Sequence, residues 1–544
     1  MRAIDLYAGI GGWSLGLKLA GVKVVGSYEW WQPAIDTHNG NHDTSLQATN
    51  IRTMDFSTLP KDVDLVVGSP PCTQFSYSNR GGSGNLDDGL IDLERFFAVV
   101  DHLRPKFWAM ENVPRVAKFL ETCFKDPNSP LYKYRHLNPN IQVFDFSEYG
   151  CPQARKRCIA TNIPLHEIEK YKEKCQKLSL GDVLRALGKQ PNDGLVVDPI
   201  WGVSLPKVAV TETEQEEALS AEELRINRDS KTYHPVYNNM AFPDKIDVPS
   251  RTVTATCTRV SRESIIVEND NGSGFRRLTV RERALLQGFP ITYQFYGKSF
   301  SEKAKMIGNA IPPTFSYILA SFASGQLADD FVPPFDAGRM LKIPTTPAKI
   351  TPVDTAGRSY PTKRRFRAAI PGLRFKSGMR FEFANDVTEP NTTWSIRFYT
   401  GNSKAILQHQ LKENIEDKIL NFGVTSSIWS VGQPDKLSLE RLVGEIDGDE
   451  LQAIWTRRSI GESPFNWVDR IGHIAEEVQA ELSEQLDQQQ AEDLVLELFG
   501  FPAAKGKPAN ETKLKKYAIP IIAGTIVGTW FNNIAKSPKI SRAA

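Results

Sequence analysis

The N-terminal third of the chain alternates short β-branched runs with amphipathic segments, and this alternation constrains the fold more than any other feature. MRAIDLYAG reads as a strand and GGWSLGLKLAG as a glycine-led helix. VKVVGSYEW is a second strand and WQPAIDTHNGNH a second helix. VDLVVGSPP is a third strand, stopped by Pro70-Pro71, and KFWAMENVP is a fourth. Strand, helix, strand at this spacing predicts a parallel sheet with helices on both faces. Ligands on such sheets bind at the carboxyl ends of the strands. The chemically informative residues fall there: Asp5 to Gly12, Glu29, Pro70 to Ser76, and Glu111 to Val113.

Composition narrows the class. Of 544 residues, 40% are hydrophobic and 24% charged, which excludes a disordered chain, a collagen-like fibre and a polytopic membrane protein. Lys and Arg total 66 against 64 Asp and Glu, so the net charge of +2 excludes a uniformly basic nucleic-acid binder but allows a local basic cleft. The six cysteines form no C-x-x-C pair, so neither paired zinc knuckles nor a disulfide framework is expected. A reducing cytoplasm fits that usage. Asp5 and the glycine cluster interrupt any signal-peptide pattern at the N-terminus. The apolar stretch 517–531 falls short of the roughly 20 residues that span a bilayer and predicts buried strands or a core helix, with no membrane association.

Further along, AVTETEQEEALSAEEL reads as an acidic helical stretch and RTVTATCTRVSRESIIVE (251–268) as a strand. Thr279, with Glu282 three residues on, has capping-box spacing ahead of a helix. Helical pattern resumes at SEKAKMIGNAIPPTFSYILASFASGQL, and the proline-rich 331–357 reads as a linker. Residues 358–380 carry eight Lys or Arg and no acid, among Tyr360, Phe366 and Phe375. This segment predicts either an accessory DNA-binding sheet or a basic hairpin edge that resists aggregation. The acidic stretch 474–499 places Ile474, Val478, Leu482, Leu486 and Leu494 near one face, as a packing helix does.

Each strand-end cluster has two readings. Gly9-Ile-Gly11-Gly12 can bring backbone amides to a nucleotide-like ligand at a helix N-terminus, or make an ordinary tight turn. Glu29 can take ribose hydroxyls or be a solvated acid, and Trp30 can stack on an adenine or cover the sheet. Cys72, held by two prolines, can be a nucleophile or a small buried apolar residue. Glu111, on the adjacent strand end, can face it as a proton donor.

Together these items resemble the C5-cytosine DNA methyltransferases over roughly residues 1–325. DLYAGIGG, YEWW, GSPPCTQFS, ENV, YGCPQARKR, RLTVRERALLQGFP and GNAIPP occur in the family order. The resemblance implies a Rossmann-like, mostly parallel α/β sheet that uses S-adenosylmethionine and no metal. It implies a catalytic lobe at 1–164 and 291–330 and a small target-recognition lobe at 165–290. An α+β domain of unrecognised type follows at 358–544. Cys72 corresponds to the nucleophile that attacks C6 of a flipped cytosine, and Glu111 to the acid at N3. Gln153, Arg155 and Arg157 correspond to the QxRxR motif near the base. Tyr7, Gly9, Gly11, Glu29, Trp30, Asn50, Ile51, Pro70 and Asn309 are the implied cofactor contacts. Asn50 stands where the family usually has an acid, and Thr73 where it often has Gln.

The implied partner is double-stranded DNA, with a cognate restriction endonuclease encoded separately and a monomeric enzyme. Arg251, Arg259 and Arg262 are candidate DNA contacts, though RTVTATCTR also suits a strand with a solvated basic face. Two other functions stay open on sequence: a decayed scaffold that only binds DNA, and a transfer-RNA cytosine methyltransferase. In the last third, Glu416-Asp417-Lys418, His409 and His473 offer only a thin case for a fused nuclease.

Overall fold

The computed structural model describes residues 1–71, 75, 86–188, 194–232, 240–353, 358–375, 378–388, 391–401, 406–409, 411, 418–419, 447–499 and 511–536. The chain divides into two compact units, residues 1–228 with 241–355 and residues 229–240 with 356–544.

In the first unit, the four predicted runs form strands Arg2–Leu6 (β1), Lys23–Tyr28 (β2), Leu65–Gly68 (β3) and Phe107–Asn112 (β4), all parallel. Asn140–Asp145 (β5) and Lys156–Thr161 (β7) complete a six-stranded sheet in the order β2-β1-β3-β4-β7-β5. β7 is antiparallel to both its neighbours. Its register sets Glu111 opposite Ile159 and Asn112 opposite Cys158. The short Gln153–Ala154 (β6) runs just ahead of β7.

The intervening helices are Gly12–Leu19 (α1), Gln32–His42 (α2), Leu86–Leu103 (α3) and Arg115–Cys123 (α4). The later helices are Leu165–Glu169 (α5), Leu180–Leu187 (α6), Ala221–Thr232 (α7), Val280–Leu286 (α8), Phe300–Asn309 (α9) and Pro313–Ala323 (α10). Helix α10 returns to the first helix of the chain. A Cβ on Gly16 would lie 2.2 Å from Ser316 Oγ, so only glycine permits this approach of α1 and α10. Ser316 Oγ also donates to the Gly12 carbonyl at 2.7 Å.

The predicted capping box opens α8: Glu282 N donates to Thr279 Oγ1 at 3.1 Å, and Thr279 N to the Glu282 carboxylate at 2.7 Å. All seven residues of α8 are buried. Trp201, Val253, Leu285 and Phe289 share one apolar cluster with Trp13 and Leu17, so the segment 165–290 packs into the core beside the sheet.

Three stretches differ from their sequence reading. Only Ser250–Arg251 and Ile266–Glu268 of the expected 251–268 strand are extended as strands. Between them the backbone turns, because Arg251 folds back onto Asp244 and the carbonyls of Arg262 and Ser264. The acidic stretch becomes helical only at Ala221, because Glu212 and Glu216 are drawn inward by Lys303 and Arg277. The proline-rich stretch lies on the first unit as far as residue 353. Lys303 Nζ donates to the Lys349 carbonyl at 2.8 Å, and Thr351 N to Glu212 at 3.0 Å.

The second unit holds an antiparallel sheet whose central strands, Arg380–Thr388 and Asn391–Thr400, pair along their length. Phe381 and Phe398 stack at 4.4 Å on one face. The apolar stretch near the C-terminus is a core helix, Ala518–Lys536, and Gly524 sits where a Cβ would meet the Phe381 ring at 2.6 Å. The expected 474–499 helix is two helices, Pro464–Gln485 and Gln488–Phe499, broken by extended Leu486. No described helix is long and apolar enough to cross a membrane.

Candidate active site

The carboxyl ends of β1, β2, β3 and β4 carry the predicted site residues. After β1 the backbone is left-handed at Tyr7, Gly9 and Gly11. A Cβ on Gly11 would lie 2.4 Å from His42 Nε2, and one on Gly12 would lie 2.2 Å from the Ile311 carbonyl. The glycine turn therefore sits directly against the GNAIPP segment, about three hundred residues later by the same numbering. Asn309 in that segment is exposed.

Glu29 ties the ends of β1 and β2 together. One carboxylate oxygen accepts from Gly9 N at 2.9 Å, and the other from Trp30 N and Trp31 N at 2.8 Å. The Trp30 indole beside it is 68% exposed, a free aromatic face at the mouth of the turn. Beneath the turn, Ser14 Oγ donates to Asp5 at 2.7 Å and lies 3.1 Å from His38 Nε2. Burial pushes Asp5 up to about 7 and His38 down to about 4. Ile51 is buried, and exposed Asn50 uses its side-chain oxygen to accept from Arg52 N at 3.0 Å.

Pro70 is buried and anchored from both sides. Asn112 donates to its carbonyl at 3.1 Å, and Trp13 Nε1 donates to Ser69 Oγ at 3.0 Å. Neither anchor was singled out from sequence, since an Asn after the acid and a Trp in an apolar helix carry no pattern of their own. Glu111, next to Asn112, is 5% exposed and ion-pairs with Arg157 Nε at 3.1 Å. The structure thus brings together Glu111, Arg157 and the prolyl turn that leads to Cys72. Cys72 itself lies outside the described residues. The described cysteines are all buried, and burial pushes the thiols of Cys123, Cys151, Cys158 and Cys175 up, Cys151 and Cys175 to about 12.

Gln153 and Arg155 are placed elsewhere. Gln153 donates to the Leu286 carbonyl and the Gln287 side chain, each at 2.7 Å, and accepts from Val253 N at 2.8 Å. Arg155 is 1% exposed and donates to the carbonyls of Val253 at 3.0 Å, Gly308 at 2.9 Å and Ala310 at 3.1 Å. These two side chains lock four distant segments of the first unit, so their geometry is that of a framework. Arg259 and Arg251 are likewise committed inside the protein. Arg259 forks onto Glu223 at 2.9 and 3.0 Å, and Arg251 pairs with Asp244. A buried arginine reads like a solvated one in a sequence, because its acid lies far along the chain.

A mostly parallel sheet with a glycine turn after its first strand, an acid and an open indole after its second and a buried carboxylate at the end of its fourth defines an α/β protein whose ligand site lies at the strand ends. The family model described as C-5 cytosine-specific DNA methylase matches residues 1–322, and the chain belongs to that family: it is a DNA cytosine-5 methyltransferase. It is 30% identical over 337 residues to the type II methyltransferase M.HgiDI of Herpetosiphon aurantiacus, covering 60% of this chain and 95% of that one. It is 27% identical over 347 residues to the type II methyltransferase M.FnuDI of Fusobacterium nucleatum, covering 60% and 96%. Among solved structures, the S. pombe Dnmt2 methyltransferase matches at 18% identity and a TM-score of 0.39, over 60% of this chain and 98% of that one.

Proposed function

We propose that the chain methylates C5 of a cytosine, flipped out of double-stranded DNA, through a covalent adduct between Cys72 and C6. The observation that carries this reading is the meeting of Glu111, Arg157 and the anchored Pro70 turn at one end of the sheet. C5 of cytosine is a weak nucleophile. Thiolate addition at C6 makes C5 enamine-like, and Glu111 stabilises the charge that develops at N3. Arg157 fixes the Glu111 carboxylate in place for that contact. Loss of the C5 proton and of the thiol restores the aromatic ring. C6 is hidden in a stacked duplex, so the base must leave the helix.

The residues present fit S-adenosylmethionine. Tyr7, Gly9 and Gly11 open the turn, Glu29 offers a fixed carboxylate, and the bare face of Trp30 suits a purine. Asn50, Ile51, Pro70 and Asn309 complete the assigned contacts. Bound there, the cofactor supplies an electrophilic methyl carbon.

The lobe at 165–290 is assigned target recognition. The biological setting is a type II modification system, with a separately encoded endonuclease and a monomeric methyltransferase. The test is a set of duplexes in which 5-fluorocytosine replaces cytosine, since fluorine cannot leave C5 as a proton does. With S-adenosylmethionine the chain should form an adduct stable to denaturant, and Cys72→Ser should form none. An adduct that persists in Cys72→Ser would overturn the assignment.

A further inference from the structure

Helix α3 is latched to two of the segments that carry the assigned cofactor contacts, the one at Tyr7 and the one at Asn50–Ile51. Arg52 forks onto Asp92, with Nε to Oδ1 at 2.9 Å and Nη2 to Oδ2 at 2.6 Å. Its Nη1 reaches Asp88 Oδ1 at 2.8 Å and its Nη2 the Asp88 carbonyl at 3.2 Å. Asp92 is 4% exposed, and its carboxylate also accepts from Tyr7 OH at 3.2 Å. One turn further along α3, Arg95 donates to the Ile51 carbonyl at 2.8 Å and to that of Met54. The helix therefore holds residues 50–54 by two arginines and the start of the glycine turn by one tyrosine. Asn50 spends its side-chain oxygen on the Arg52 amide, so the local backbone takes its position from Arg52.

We infer that Arg52 is a positioning residue for the cofactor, using Asp88 and Asp92 to hold residues 50–52 in register with Tyr7. The inference rests on the assignment of Tyr7, Asn50 and Ile51 as cofactor contacts. Arg52 itself touches no reacting atom, so its effect falls on cofactor affinity and leaves the chemical step alone.

The test measures S-adenosylhomocysteine binding by calorimetry and methyl transfer to DNA, on the full chain. For Arg52→Met, Kd for S-adenosylhomocysteine and KM for S-adenosylmethionine should rise about ten-fold or more, with kcat at saturating cofactor within about two-fold. Arg52→Lys keeps the charge but loses the fork, and should recover part of the affinity. Asp88→Asn leaves the Asp92 fork intact and should weaken binding by about two- to three-fold, which carries the test if Arg52→Met does not fold. Unchanged affinity in Arg52→Met, or in Asp88→Asn where Arg52→Met is unfolded, would overturn the positioning role. A fall in kcat with unchanged KM would also overturn it. If the wild-type chain binds no S-adenosylhomocysteine, the cofactor assignment falls, and this inference with it.

Discussion

Replacing Arg155 with Met separates a framework role from a chemical one. The guanidinium is 1% exposed and serves three carbonyls, those of Val253, Gly308 and Ala310. Ala310 keeps a second donor, the Gln287 side chain. The substitution therefore strips the Arg155 bond from two buried carbonyls, those of Val253 and Gly308, which have no second side-chain donor among the described residues, at about 1–3 kcal/mol each. Against that cost, a cation no longer has to be held out of water. The net loss should be about 2–4 kcal/mol, the residual of those opposing effects. The assay is urea unfolding followed by near-ultraviolet circular dichroism, beside methyl transfer at saturating cofactor. The midpoint should fall, and activity should fall with it as GNAIPP loosens from the glycine turn. Arg155→Lys should lie between, because one ammonium cannot span the three carbonyls. A wild-type midpoint with activity abolished would refute the framework account and place Arg155 at the reacting base.

Glu111→Gln should lower kcat by about 10²- to 10⁴-fold while the chain still folds and binds S-adenosylhomocysteine; loss of cofactor binding in that variant would contradict its assigned role. Asp5→Asn tests the buried acid under the glycine turn. The folded state holds its proton up to about 7 against 3.8 for the free group, so the wild type loses stability from this group as pH rises through that window. Relative to wild type, Asp5→Asn should gain on the order of 4 kcal/mol between pH 4 and pH 8, read from denaturant titrations at each pH. His38 acts in the opposite sense, since its folded value lies near 4 and its stabilisation is lost as pH falls below 6.5. Gly524→Val should destabilise the second unit by about 1–3 kcal/mol, because the new side chain meets the Phe381 ring; an unshifted calorimetric transition would contradict that packing.

What was legible in the sequence follows periodicity and local chemistry. The four parallel strands announce themselves as β-branched runs, and Thr279 with Glu282 announces its own helix start. Glu29, Glu111 and Pro70 were legible because each stands where a strand stops. Partners distant in sequence were not. Nothing near Arg155 shows that its carbonyls lie about a hundred to a hundred and fifty residues away. Arg259 fits a solvated basic face until Glu223 is placed beside it. Some cations of 358–380 are likewise committed, since Arg367 and Arg380 share Glu382 and Arg364 covers the rings of Tyr360 and Trp455, whereas Arg358, Lys363 and Arg365 are exposed. His409 is buried against Thr400 at 2.6 Å, which leaves the nuclease reading no support from that residue, and Glu416 and Asp417 lie outside the described residues.

The most direct test supplies the purified chain with S-adenosylmethionine carrying a labelled methyl group, offers DNA and transfer RNA in parallel, and maps the product by bisulfite sequencing. The account predicts label in DNA, at C5 of one cytosine within one short recurring sequence, and none with Cys72→Ser. Label in transfer RNA alone, or no label in any DNA by a chain that binds the cofactor, would contradict it.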